Sequence, residues 1–145
     1  MVKNSVGLGM PANHNEHQFV GHMILINYVL KFGIKNMCYE VKVVDYPERV
    51  PDLSVWAKPI RQKSIIKPEE LILTIEITRT KQNDKYSTES ILDVFDRVPT
   101  LNESFMYNYK RNIWTRFSRE SDGIQIEEGK DYSRVLRCYM HTLLD

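Results

Sequence analysis

The chain has 145 residues, 42% hydrophobic and 27% charged, with a formal net charge of +1. This is the size and composition of one globular domain, enough for a single core and too little for two. The near-zero charge excludes a global basic field, so any polyanion binding needs a local patch. No stretch nears the roughly 20 apolar residues of a membrane helix.

Residues 1–12 are expected to be a loose N-terminal segment, since they lack the apolar core of a signal peptide. A helix is expected next, capped by Asn13 or Asn15 and stopped by Gly33. Phe19, Val20, Met23, Ile24, Ile26, Tyr28, Leu30 and Phe32 give it a broad apolar stripe, so it is expected to be mostly buried. Residues 37–44 alternate apolar and polar as a half-exposed strand does. A turn over 45–49 leads to a second strand, 50–56, opened by Pro51, which cannot donate to a central ladder. Residues 57–70 are a basic connection carrying Lys58, Arg61, Lys63 and Lys67.

Residues 71–78 (Leu71-Ile72-Leu73-Thr74-Ile75-Glu76-Ile77-Thr78) are almost wholly apolar or β-branched, the pattern of a central strand covered on both faces. A second helix is expected over 87–95, capped by Asp84 or Ser87. A hairpin follows, 104–109 with 112–117, turning at Lys110-Arg111-Asn112. Its alternation predicts an exposed apolar face that would suit a homodimer. Ile124 and Ile126 suggest a short edge strand. Val135, Leu136, Tyr139, Met140, Leu143 and Leu144 predict a last helix over 132–144, with His141 on it. The expected fold is α/β: one domain, a central mixed sheet flanked by helices. Cys38 and Cys138 lie far apart without metal-like spacing and read as two buried thiols of a cytoplasmic protein.

Asp52 and Glu76 stand out because each interrupts an apolar strand. Side chains alternate along strands, so Asp52, Ser54 and Trp56 share one face, as do Thr74, Glu76 and Thr78. If the strands are neighbours, the two carboxylates converge. Without a cation they repel, and one holds its proton. Mg²⁺ suits such a pair, since it takes one or two carboxylates plus waters and phosphate oxygens. The competing explanation is structural: Glu76 pairs with Lys42 or Lys85, and Asp52 caps a turn after Pro51. His14 and His17 are three apart on one helical turn and His22 is one turn further, but a zinc site would need a third protein ligand and no nearby cysteine offers one. His17 is expected to be a partly buried helix residue close to the acidic pair. Trp56, Tyr107, Tyr109 and Trp114 could stack on bases, though strand aromatics are more often core.

Pro51-Asp52 followed by Glu76 in an apolar strand resembles the PD-(D/E)XK nuclease superfamily. The order of elements is similar to its large branch of restriction-endonuclease-like proteins of unknown target: a helix from His14-Asn15-Glu16-His17, a strand pair, the Glu76 strand, a helix, then a hairpin ending at Phe117. The resemblance spans residues 14 to 118. It implies a Mg²⁺- or Mn²⁺-dependent endonuclease acting on DNA, with Asp52 and Glu76 as metal ligands and Glu16 joining from the first helix. The motif lysine is missing, because Thr78 stands two residues past Glu76. The branch can supply that lysine from the next helix, which points to Lys85 first and Lys81 second. Lys58, Arg61, Lys63, Lys67 and Arg79 would form the phosphate-binding patch. The alternative is a degenerate copy that binds nucleic acid or protein without cutting.

Overall fold

The computed structural model describes residues 12–59 and 67–145. Arg61 and Lys63 of the expected basic patch lie outside the described residues. The element order is α1 (Ala12–Phe32), β1 (Met37–Tyr39), β2 (Leu53–Trp56), β3 (Leu71–Thr78), α2 (Lys81–Arg97), β4 (Glu103–Asn108), β5 (Ile113–Glu120), β6 (Gly123–Glu128), β7 (Tyr132–Ser133) and β8 (Cys138–Tyr139). Short 3-10 turns cover Pro68–Glu70 and Met140–Leu143. β1 to β6 make one six-stranded mixed sheet in sequence order. Every pairing is antiparallel except β3 with β4, which α2 connects as a crossover. Among the described residues, no helix is long and apolar enough to cross a membrane.

Alternation on β3 and β4 sorts the core into two layers. Leu73, Ile75, Ile77, Phe105 and Tyr107 pack with Val20, Ile24 and Tyr28 of α1. Met106 and Phe117 pack with Ile91, Val94 and Phe95 of α2, together with Trp56 and Leu71. The two helices therefore cover opposite faces of the sheet, and both faces of β3 are buried or nearly so. Each fully buried aliphatic or aromatic side chain contributes about 1.5–3 kcal/mol.

Several boundaries differ from expectation for identifiable reasons. α1 begins by Ala12, so Asn13 and Asn15 lie inside it and not at a cap. It ends as expected at Gly33, whose φ of +70° suits glycine. The helix is not mostly buried: Phe19, Ile26 and Leu30 face outward. The strand expected over 37–44 stops at Tyr39, because Glu40 adopts φ +51° and turns the chain out of the ladder. Val41 and Val43 are still buried, on the α2 side. Lys42 pairs with Asp45 at 2.7 Å, not with Glu76.

α2 starts six residues before the expected position. Thr80 is its N-cap, in a capping box with Asn83. Asp84 does not cap; it accepts hydrogen bonds from Thr78 Oγ1 at 2.5 Å and Asn108 Nδ2 at 3.1 Å. Thr80→Ala is expected to cost about 1 kcal/mol. In urea denaturation the midpoint should fall with an unchanged m-value; an unmoved midpoint would mean that Asn83 or water satisfies the helix end unaided.

The hairpin of β4 and β5 turns where expected, with Asn112 at φ +53°. Its strands are interior, however, and β4 is buried throughout. The exposed apolar face expected of residues 104–117 is absent, since α1 with Met140 and Leu143 covers one side of the hairpin and α2 the other. Trp56, Tyr107 and Trp114 are core residues, the last two stacked at 4.5 Å. The last segment is not a helix. Arg137 adopts φ +58° and breaks it, and β7 pairs with β8 instead. Met140 and Leu143 then seat in the α1-side core, and His141 is exposed beside Asp131 at 2.6 Å.

Candidate functional site

The β2–β3 register pairs Leu53 with Ile75 and Ser54 with Thr74. One step further, at the mouth of β2, Asp52 faces Glu76. Pro51 has no N–H for the ladder, and Asp52 itself takes over the pairing. Its Oδ2 accepts the Ile77 N–H at 2.7 Å, and its own N–H donates to Glu76 Oε1 at 3.3 Å. From α1, His17 Nε2 lies 3.0 Å from Asp52 Oδ1. The Asp52 carboxylate therefore joins α1, β2 and β3 at one point.

The electrostatics follow from this crowding. Burial pushes the Glu76 carboxyl well above the usual carboxylate range, and the charge and hydrogen bonding of Asp52 push it the same way. The Asp52 N–H and Arg49 pull back without prevailing. Arg49 is already committed, with its Nε 2.9 Å from Asp93 Oδ2. The His17 imidazole is raised, chiefly by its hydrogen bond to Asp52, against the opposing effect of its own burial. The two carboxylates line an open cleft of about 620 Å³ together with His17, Arg49, Asn83 and Tyr86.

The other expected site residues lie elsewhere. Glu16 is exposed and points to Arg79 Nε at 3.9 Å. Lys81 and Lys85 are exposed on α2 and do not line the cleft of Asp52 and Glu76. Lys81 lines a separate hollow with Asp84, Asn108 and Arg111. Thr78, at the motif-lysine position, is buried and donates to Asp84. Lys58 and Lys67 are exposed. His22 packs on Tyr39 with ring centroids 4.9 Å apart, so it does not join His17. His17, expected as a partly buried helix residue close to the acidic pair, is the partner of Asp52. The signal was there, because His17 falls at helical spacing with Val20, Ile24 and Tyr28, the inward face of α1.

Among the described residues, no group of three or more His, Cys, Asp or Glu side chains is arranged to hold a metal ion. The site offers two carboxylates. Asp52 Oδ2 accepts the Ile77 N–H, and Oδ1 faces His17. Burial is the main cause that drives Glu76 toward its protonated form, and the charge of Asp52 adds to it. An all-oxygen pair of this kind fits a hard divalent ion that takes its remaining ligands from water.

Glu76 also sets a pH dependence. Its folded pKa lies above the ordinary value of 4.5. Above that value the unfolded chain has lost a proton that the folded chain keeps, so stability falls as pH rises toward the folded pKa. Glu76→Gln removes this loss while keeping an acceptor for the Asp52 N–H. In EDTA, the Tm of the variant relative to the parent should climb as pH rises above the ordinary carboxyl value of 4.5. A difference independent of pH would show that Glu76 titrates normally.

The fold and the site define a class: an α/β domain with a six-stranded mixed sheet and an acidic pair at a strand mouth. No protein-family model matches the chain, and no curated protein matches it significantly.

Proposed function

We propose that the chain is a divalent-metal-dependent endonuclease acting on DNA, of the PD-(D/E)XK, restriction-endonuclease-like kind. The observation that carries this reading is the convergence of Asp52 and Glu76 at the β2–β3 mouth, inside an open cleft. The order α1-β1-β2-β3-α2-β4, with β4 parallel to β3, supports it, since it is the order the resemblance implies.

Asp52 and Glu76 would hold Mg²⁺ or Mn²⁺. A bound divalent ion supplies charge for a phosphodiester oxygen and a lowered pKa for water. The chain's own residues fix the site. The Ile77 N–H and His17 hold the Asp52 carboxylate in place, and the Asp52 N–H orients Glu76. Preorganisation of this kind removes the cost of arranging charged groups during reaction. Lys58, Arg61, Lys63, Lys67 and Arg79 would contact the phosphate backbone, making affinity depend steeply on salt. A cytoplasmic location fits the two cysteines, which are thiols.

One observation favours the degenerate reading. Thr78 is tied to Asp84, and neither Lys81 nor Lys85 lines the cleft. In that case the chain binds nucleic acid or a protein without cutting. Plasmid nicking in Mg²⁺ or Mn²⁺, set beside duplex binding by fluorescence anisotropy, separates the two. Binding with no metal-dependent nicking overturns the enzyme reading and leaves the binder; absence of both nicking and duplex binding overturns the nuclease and the nucleic-acid binder and leaves a protein partner.

A further inference from the structure

α1 carries a second surface, on the side away from the cleft. Phe19, Ile26 and Leu30 are 68%, 58% and 77% exposed. With the partly exposed Met23 they recur at intervals of four, three and four residues, the spacing of a helix–helix seam. Large apolar side chains scattered singly are ordinary on a surface, but a continuous row of this kind marks an interaction site. His17, Val20, Ile24 and Tyr28 occupy the opposite side of the helix, where α1 meets Asp52 and the sheet.

We infer that this seam is an interface between two copies of the chain, packed antiparallel along α1. The spacing reads the same in both directions. Reversing one helix sets Phe19 against Leu30 and Met23 against Ile26, so the patch is complementary to itself, as a two-fold dimer requires. Charge selects the direction. Glu16 and Lys31 are the only formally charged residues among Asp, Glu, Lys and Arg in α1, and they lie near opposite ends. Antiparallel packing brings Glu16 near Lys31 of the second copy at both ends. Parallel packing would set like against like. The Glu16 carboxylate is exposed, and its contact with Arg79 is long at 3.9 Å, so it is able to reach a second chain. The seam also replaces the hairpin face that the sequence suggested for dimerisation. Because His17 faces the other way, both clefts stay open in the dimer.

Sedimentation equilibrium of the full chain tests this across low to high micromolar concentration. The expected result is a reversible dimer. Ile26→Glu and Leu30→Glu should each weaken it by at least about a hundredfold, because each buries an unpaired carboxylate in an apolar seam. Far-UV circular dichroism of the monomeric variants should match the parent, since both side chains are exposed in one chain. Glu16→Lys and Lys31→Glu should each weaken association, and the two together should restore it. A dimer that both glutamate variants leave intact places the interface elsewhere and overturns the inference. So does a monomer at every concentration. If Leu30→Glu then also lowers Tm, the row is covered from within the chain.

Discussion

Glu103→Ala is expected to remove about 3–5 kcal/mol of stability, the range for breaking a buried charge pair by deleting one partner. Glu103 opens β4 and is 1% exposed. Its Oε2 accepts from Arg116 Nε at 3.0 Å and from the Arg134 N–H at 3.0 Å, and Arg116 Nη2 lies 2.9 Å away. Its Oε1 accepts from Ser133 Oγ at 2.5 Å and from the Val135 N–H at 3.4 Å. One carboxylate thus ties β4 to β5 and holds the turn after β7. Arg116 is itself buried and reaches on to Glu127 of β6 at 3.2 Å. Without Glu103 the guanidinium keeps one partly buried partner, and two backbone N–H groups lose their acceptor. Against a typical total of about 5–15 kcal/mol, this is a large fraction. Urea denaturation measures it. Glu103→Gln should cost less than alanine, because the amide oxygen still accepts, and Arg116→Met should be worse in the parent than in the Glu103→Gln background. A loss below about 1 kcal/mol for Glu103→Ala would show that water replaces the carboxylate and that the network is not what closes this end of the sheet.

That network also explains where the sequence misleads. Val135, Leu136, Tyr139, Met140 and Leu143 have helical spacing, and nothing local forbids a helix. Glu103, thirty residues away, captures Ser133 and the two N–H groups that follow, and the chain turns. A contact at that range leaves no periodic trace. Glu40 is a similar case: its neighbours alternate as a strand should, but its φ of +51° ends β1. The early start of α2 was legible in part. Residues 81–86 have no apolar period, yet Thr80 and Asn83 carry a capping signal that needs none. β3 and the strands and turn of the hairpin were readable because their patterns are local, whereas the burial of both faces of β4 is set by the helices packed on the sheet. The acidic pair was readable for the same reason, since register follows from alternation once β2 and β3 are neighbours. The pattern also put His17 on the inward side of α1, near the pair, but did not give its contact with Asp52. His17 reaches Asp52 through the packing of α1 on the sheet, a tertiary fact. Lys85 was pointed to by the resemblance and not by helical spacing, and only packing decides which side of α2 borders the cleft.

Asp52→Ala and Glu76→Ala should each lower metal-dependent plasmid nicking by about a thousandfold. The size follows from the several kcal/mol that metal polarisation and water activation supply, at about 1.4 kcal/mol per tenfold in rate. Asp52 is the more sensitive of the two. Its removal leaves the Ile77 N–H and His17 without their partner and frees Glu76 to reorient. Glu76→Gln should lose activity while keeping the fold, which separates the charge from the packing. Lys85→Ala and Lys81→Ala should change the rate little, because neither side chain lines the cleft. This last pair is the discriminating measurement. Loss of nicking in Lys85→Ala would mean that the helix lysine reaches the scissile phosphate once DNA is bound. Nicking that survives Asp52→Ala would place the chemistry outside this cleft. Mg²⁺ offers a check that needs no activity at all: it should raise the Tm of the parent, because it binds the folded pair and not the unfolded chain, and it should leave the Tm of Glu76→Ala where it was.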